Sequence, residues 1–460
     1  MTDRDKKAPT NPSRRTILKG TAAGAGALAF SGIAPSYFMR NAWAQEYPAL
    51  GNFPVSGSTA TYGFVVPLTG SYADEGADEL KAYELAVKHI NEGGGMLDTM
   101  KPLSLTGQGV LGKKIEWVQG DAQTNPDAAR AAARRMIERD NVIMFSGGSS
   151  SAVAVAQQYL AQEKGVIFMC GLTHSNDTTG KDRRRYGFRE FFNAYMSGQA
   201  LGPIVAQEYG TDRVAFHLTA DYTWGHTQYE SMKDSTERQG WTTANNIMTP
   251  LGTRDYSQYL TAVLNSEADV LVLNHYGADM VNSLTQAIRF GMRDRQVNGK
   301  DMVVVVPLYS RLMAAGAGLE SIEGVLGTTN WHQTAGDPGS EAFIKAFEEA
   351  YGAPPSQAAQ TVYVQTLLFS DAAERAGTFY PPEMIKALED HEYDGMGPSP
   401  SLYRGADHQV FKDIFVVRGK APSASTSEFD LLEVVQQVPR SQVEYPPDMM
   451  PGELGPYEPA

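Results

Sequence analysis

The sequence predicts an α/β fold, on three observations. Short β-branched runs with Gly or polar boundaries recur along the chain, amphipathic stretches of helical period separate them, and the runs are apolar at nearly every position. Strands that are apolar throughout belong to parallel sheets covered by helices on both faces. With 460 residues, 42% hydrophobic and 20% charged, the chain has material for two domains of ordinary size.

The N-terminus reads as an export signal. Ser13-Arg14-Arg15-Thr16-Ile17-Leu18-Lys19 precedes an Ala/Gly-rich, weakly apolar run, and Ala42-Trp43-Ala44 places small residues where a signal peptidase reads. This pattern looks like a twin-arginine signal. It predicts export to the periplasm through the twin-arginine translocase, with removal after about Ala44. Within it, Gly24-Ala25-Gly26-Ala27-Leu28-Ala29 matches a dinucleotide fingerprint, but no strand precedes it, so no cofactor is expected there.

From Tyr62 the alternation begins. "YGFVVPL" is a buried strand, and the helix from Asp78 stops at Gly93-Gly94-Gly95. "KKIEWVQGD" is the next strand, and Asn125-Pro126-Asp127 opens an Ala/Arg-rich helix with Pro in its first turn. "NVIMFSGG", "GVIFMCG", "DRVAFHLT", "ADVLVLN" and "DMVVVVP" are further strands, with helices expected over 152–163, 198–209, 227–239 and 279–291. A long helix is expected over 356–376, another from "PPEMIKALE", and a late strand in "FKDIFVVRG". After Lys420 the Ser, Pro and acidic residues predict a tail that wraps the surface or stays mobile.

Composition excludes several function classes. A formal charge of -14 argues against a nucleic-acid partner, because an acidic surface releases no counterions from phosphates. Cys170 is the only cysteine, which rules out an intramolecular disulfide and a cysteine metal cluster. No histidine pair has metal-ligand spacing, so no metal is expected. "FSGGSSSAVAVA" lacks both the G-x-S-x-G elbow and the phosphate-binding lysine motif. It retains a helix N-terminus, where free backbone N–H groups and the hydroxyls of Ser149, Ser150 and Ser151 either seat a carboxylate or simply cap the helix. "DYTWGHTQY" and "NHYGADM" each place an aromatic beside Gly just beyond a strand. Such rings pack on a domain edge or converge on the crevice at the carboxyl ends of the strands.

Taken in order, "YGFVVPLTGSYADEGADELKAYELAVKHINEGGG", "SGGSSSAVAVAQQYLAQEKGVIFMCGLTHSN", "DYTWGHTQYESMKD" and "LNHYGADMVNSLTQAIRFGM" resemble the periplasmic leucine/isoleucine/valine-binding proteins. These are the type I solute-binding proteins of ABC importers, and the resemblance covers roughly residues 61–420. It implies two Rossmann-like lobes joined by three hinge crossovers, with a solute enclosed between them. The division expected is 58–188 with 306–392 as lobe 1, 189–305 with 393–420 as lobe 2, and 421–460 as the tail. Carried over residue by residue, the resemblance puts the ligand contacts at one or more of Ser149, Ser150 and Ser151, then Thr173, His174, Trp224 and Tyr276, with Tyr72 lining the first-lobe wall.

One position departs from the family. Where amino-acid-binding members carry an acid after the "VVVVPLY" strand, this chain has Leu308 and Tyr309. A buried ammonium without a carboxylate is costly. The expected solute is therefore not a simple α-amino acid, unless Asp221, Asp279 or Glu75 takes over that role. A carboxylate or amide with an apolar or aromatic body fits, with Trp224, Tyr276 and Tyr309 as walls. The expected protein is a non-catalytic, cofactor-free receptor that delivers its solute to an ABC permease of the inner membrane. The alternatives are an exported enzyme using the cleft and an exported ligand sensor.

Overall fold

The computed structural model describes residues 47–459. The export signal and the cleavage expected after Ala44 lie outside the described residues. The first half runs β1 (Thr59–Val66), α1 (Ala73–Glu92), β2 (Lys114–Asp121), α2 (Pro126–Arg139), β3 (Met144–Gly147), α3 (Ser151–Lys164), β4 (Ile167–Cys170), β5 (Gly187–Arg189). There follow α4 (Ala194–Tyr209), β6 (Val214–Ala220), α5 (Thr223–Arg238), β7 (Thr242–Thr249), α6 (Ser257–Leu264), β8 (Val270–Asn274) and α7 (Gly277–Arg289). A small hairpin of β9 (Gln296–Val297) and β10 (Lys300–Asp301) leads to β11 (Val303–Leu308), α8 (Arg311–Ala317), α9 (Leu319–Ile322) and β12 (Leu326–Thr329). The chain then forms α10 (Pro338–Tyr351), α11 (Gln357–Ala376), α12 (Pro381–Leu388), β13 (His391–Tyr393), β14 (Ser401–Arg404) and β15 (Gln409–Phe411). It ends with β16 (Ile414–Gly419), β17 (Leu432–Val438) and α13 (Arg440–Val443).

Apart from the β9–β10 hairpin, the strands divide between two sheets. The first has the order β13-β14-β15-β5-β4-β3-β1-β2, parallel from β2 through β15 and antiparallel at its β13 edge. The second has the order β17-β16-β12-β11-β8-β6-β7, parallel from β7 to β12 and antiparallel beyond. Each sheet carries its own buried core, built around Phe64, Phe145, Phe168 and Leu367 in the first lobe and around Leu218, Leu273, Val305 and Met280 in the second. Burial of β3, β4 and β8 at every position is what a parallel sheet covered on both faces requires. Helix starts are fixed locally: Asn125 accepts N–H bonds from Asp127 and Ala128, and Asp337 accepts one from Ser340, each before a Pro in the first turn.

The chain passes between the sheets at 190–193, at 330–337 and at 412–413, three crossovers in all among the described residues. Their positions correct the division expected from sequence. β11 and β12, which fall within 303–329, belong to the second sheet, and β13 to β15, within 391–411, belong to the first. A β-branched run satisfies either sheet equally, so periodicity identifies the strand without assigning its neighbours. The segment after Lys420 is also more structured than a tail. β17 pairs with β16 at the edge of the second sheet, with a partly exposed pattern suited to an edge. Beyond it the chain returns to the first lobe, where the Arg185 N–H donates to Leu454 O (2.6 Å) and the Tyr186 hydroxyl donates to Tyr457 O (2.6 Å).

Tyr445 anchors this return. It is 2% exposed, its hydroxyl accepts from Asn193 Nδ2 (2.8 Å), and its ring meets Phe411 and Tyr195 edge-on. Tyr445→Ala is expected to lower the free energy of unfolding by about 3 kcal/mol, the usual cost of removing a buried aromatic. Urea denaturation of the mature chain measures this, and a loss below ~1 kcal/mol would show that the segment contributes little.

Candidate ligand cleft

The turn from β3 into α3 is shaped by residues that other side chains would obstruct. Gly147 has φ +140°, and a Cβ there would stand 2.0 Å from Val65 O. Ser150 itself holds φ +105°, a strained value for a non-glycine residue. The three serines have separate surroundings. Ser149 Oγ donates to Glu79 Oε1 (2.5 Å), Ser150 is the N-cap position of α3, and Ser151 Oγ accepts from the His174 and Ser175 N–H groups (3.2 and 3.0 Å) and from Thr173 Oγ1 (3.1 Å). Ser151 therefore ties the loop after β4 to the head of α3.

That loop is supported from behind by Arg189. Its buried guanidinium donates to Ser175 O, Thr173 O, Thr179 Oγ1 and Gln409 Oε1. His174 Nδ1 donates to Phe192 O (2.7 Å), which leaves Nε2 unprotonated and without a hydrogen-bond partner. Burial, reinforced by the Arg189 charge, pushes the His174 pKa well below its usual value, so the ring is a neutral acceptor.

The second-lobe aromatics lie at helix starts rather than in free loops, because α5 begins at Thr223 and α7 at Gly277, earlier than the expected 227 and 279. Trp224 meets Tyr276 (6.3 Å between centroids), Tyr222 (5.9 Å) and His174 (6.4 Å), and Tyr276 meets Tyr72 of the first lobe (5.7 Å). Trp224 is 2% exposed and its Nε1–H has no hydrogen-bond partner. Tyr309 stands outside this ring cluster. Its buried hydroxyl is also unpartnered, and it shares a small cavity with Gln357, whose Nε2 donates to the Tyr276 hydroxyl (3.4 Å).

The two lobes meet through polar contacts. Tyr72 and Tyr222 share a hydroxyl hydrogen bond (2.7 Å), the Ala278 N–H donates to Ser71 O (3.1 Å), and Ser175 and Thr223 hydroxyls lie 3.1 Å apart. Tyr276 and Ser310 both donate to Glu75 Oε1 (2.8 Å each). Of the three acids named from sequence, Asp221 is exposed beside His226, and both oxygens of Asp279 accept from the Gly252 N–H. Of the three, Glu75 is the one that bonds across the lobes, while the buried Asp279 acts on Tyr72 and Tyr222 through its charge. Burial raises the Glu75 pKa to about 7 against the lowering effect of its two hydroxyl partners, and burial raises Glu79 to about 8. Glu79, Ser175, Tyr222, Ser310, Gln357 and Arg189 are site neighbours that the motifs did not name.

Two parallel-sheet lobes, three crossovers and a cleft lined from both sides define a two-lobed solute-binding protein. Residues 59–425 match the family model for periplasmic binding proteins, and the chain belongs to that family. A Leu/Ile/Val-binding protein homolog 8 from Brucella abortus (strain 2308) is 25% identical over 341 residues, 71% of this chain and 79% of that one. Among solved structures, a periplasmic binding protein from Burkholderia mallei has a TM-score of 0.77 at 23% identity, covering 87% of this chain and all of that one. A solute-binding protein of an ABC transporter from Rhodopseudomonas palustris BisB5, in complex with 3,4-dihydroxybenzoic acid, has a TM-score of 0.71 at 20% identity, covering 84% and 98%. The family implies a periplasmic location, and no helix among the described residues is long and apolar enough to cross a membrane.

Gly277 is where closure is most sensitive to volume. At φ +56°, a Cβ on it would stand 2.5 Å from Tyr72 Cδ1 and 2.6 Å from Ser71 O on the opposite lobe. Gly277→Ala should cost about 1 kcal/mol through its backbone conformation and displace the lobes from this contact. Small-angle scattering is expected to give a larger radius of gyration than for the native chain. An unchanged radius would count against this contact as the limit of closure.

Proposed function

We propose that this chain is the periplasmic receptor of an ABC importer, which captures a small solute between its lobes and hands it unchanged to an inner-membrane permease. The solute class that fits is a carboxylate or amide with an apolar or aromatic body. The observation that carries this reading is the juxtaposition of the α3 N-terminus with a buried ring cluster that has three unused polar atoms in or beside it: Trp224 Nε1, His174 Nε2 and Glu75 Oε2. Flat apolar walls with a few convergent polar groups are what a solute pocket provides. The names of the Brucella and Rhodopseudomonas relatives, one for aliphatic amino acids and one complexed with an aromatic acid, bracket the same chemistry. In this reading Ser150 and the first-turn N–H groups of α3 take the acceptor end of the solute, Thr173 and His174 border it, and Tyr72, Trp224 and Tyr276 flank its body. Tyr309 backs the cleft through Gln357. Delivery through the twin-arginine translocase, with the signal removed after about Ala44, completes the proposal.

A thermal-shift screen of the mature chain against small carboxylates, amides and amino acids tests it. A cleft ligand at a hundred times its Kd should stabilise by about 2.7 kcal/mol. Trp224→Phe keeps a ring but loses the N–H, and should weaken a hit that uses this donor by roughly tenfold. Turnover of a hit, in place of stable binding, would overturn the receptor reading in favour of an exported enzyme.

A further inference from the structure

Glu75 and Glu79 lie one turn apart on α1, so their side chains share a face with Cβ atoms about 5–6 Å from each other. Both are buried, at 2% and 0% exposure. Each uses one oxygen only: Glu75 Oε1 accepts from Tyr276 and Ser310 of the second lobe, Glu79 Oε1 accepts from Ser149, and neither Oε2 has a hydrogen-bond partner. Among the described residues, no Lys, Arg or His forms an ion pair with either. We propose that Glu75 and Glu79 together seat a cationic nitrogen of the solute, so that the cleft selects a molecule carrying an amine or amidine in addition to its acceptor end. This rests on the receptor reading above and names the chemistry of the same cleft.

The charged and titratable groups around the pair leave that role open. On α1 itself, Asp78 adds a third carboxyl, held by the Ser356 N–H (2.8 Å), and Tyr83 is bonded to Ser146 (2.6 Å). From the second lobe come the neutral Tyr276 and the guanidinium of Arg311, which donates to Pro354 O and acts on Glu75 only at a distance. From α11 the neighbours are the amides Gln357 and Gln365. From the β4 loop, the Leu172 N–H lies near Glu79. A solute carboxylate placed here would meet two acids with only the distant guanidinium of Arg311 to offset them, and both would have to stay protonated. An ammonium satisfies the free oxygens, and the faces of Tyr72, Tyr276 and Trp224 add cation–π attraction.

The two cases differ in the sign of their pH dependence. Without ligand the carboxyls titrate near 7 and 8. A bound cation lowers both pKa values, so binding releases protons and affinity rises between about pH 6 and 8.5, by up to tenfold per pH unit for each proton released. A bound carboxylate raises them, and affinity falls over the same window.

The test uses pairs that differ by the nitrogen alone and whose ammonium stays charged over this window: 4-(aminomethyl)benzoate against 4-methylbenzoate, 4-(aminomethyl)benzamide against 4-methylbenzamide, and leucine against 4-methylpentanoate. Calorimetric titration of the mature chain should show at least tenfold tighter binding for the nitrogen-bearing member of a pair that binds, with affinity increasing with pH. Glu75→Gln and Glu79→Gln, checked for native melting without ligand, should each weaken that member at least tenfold and flatten its pH slope. Tighter binding of the nitrogen-free members, affinity falling with pH, or a Gln variant that strengthens binding would overturn this inference while leaving the receptor reading intact. Absence of binding by all six, with a failed wider solute screen, would overturn both.

Discussion

The two lobes are held to one hinge by a buried ion pair. Lys412 Nζ donates to Glu190 Oε1, and the Tyr393 hydroxyl donates to Glu190 Oε2 (2.5 Å). Glu190 stands on the first crossover and Lys412 on the third, so one contact ties together two of the strands' passages between sheets. Removing one partner of such a pair leaves the other charge uncompensated, at a cost of about 3–5 kcal/mol. The neighbouring residue on the same strand end, Arg189, faces the other way and supports the loop of Thr173 and Ser175. The backbone that forms the hinge thus also sets the geometry of the first-lobe wall.

The contacts that close the cleft are of a different kind. Tyr72 with Tyr222, Ser175 with Thr223, and Glu75 with Tyr276 and Ser310 are hydrogen bonds whose partners can all be satisfied by water when the lobes part. Each is worth only about 0.5–1.5 kcal/mol net. A polar interface of this sort leaves open and closed arrangements close in free energy, and a solute that binds only the closed one shifts the balance by its differential affinity. The Tyr72–Tyr276 ring contact and the packing of Leu172 against the second-lobe core add an apolar part to this largely polar seam. The unpaired oxygens of Glu75 and Glu79 bear on the same balance, because burying them without a partner opposes closure and a donor from the solute removes that opposition.

Much of this was legible in the sequence, and the exceptions share physical causes. Periodicity identified the α/β class because buried parallel strands are apolar throughout, as in "VLVLN" and "VIMF". It could not assign Val303–Leu308 or Gln409–Phe411 to a sheet, since partners chosen by crossovers leave no trace in the strand itself. Tyr72, Ser151, Thr173, His174, Trp224 and Tyr276 lie in one connected region, whereas Tyr309 reaches it only through Gln357. Glu79 went unnamed because acids in the opening turns of a helix ordinarily complement the helix dipole at the surface. Nothing in "DELKAYELAV" distinguishes an acid facing water from one facing a cleft.

The C-terminal return constrains how the lobes can part. β17 is fixed in the second sheet, while the chain beyond Tyr445 is held to the first lobe through Arg183, Arg185 and Tyr186, which donate to backbone carbonyls at 450–457. A strap fixed at both ends resists any rotation that changes its span. Tyr445 lies between those ends, bonded to Asn193 on the first crossover and packed on Phe411 at the third. An opening axis that passes through this junction leaves the strap's length unchanged, whereas one displaced from it would have to break the tail's bonds to the first lobe. The tail therefore favours a pure hinge at the crossovers, and the same geometry explains why a polar, Pro-rich segment without a core of its own is ordered against the fold.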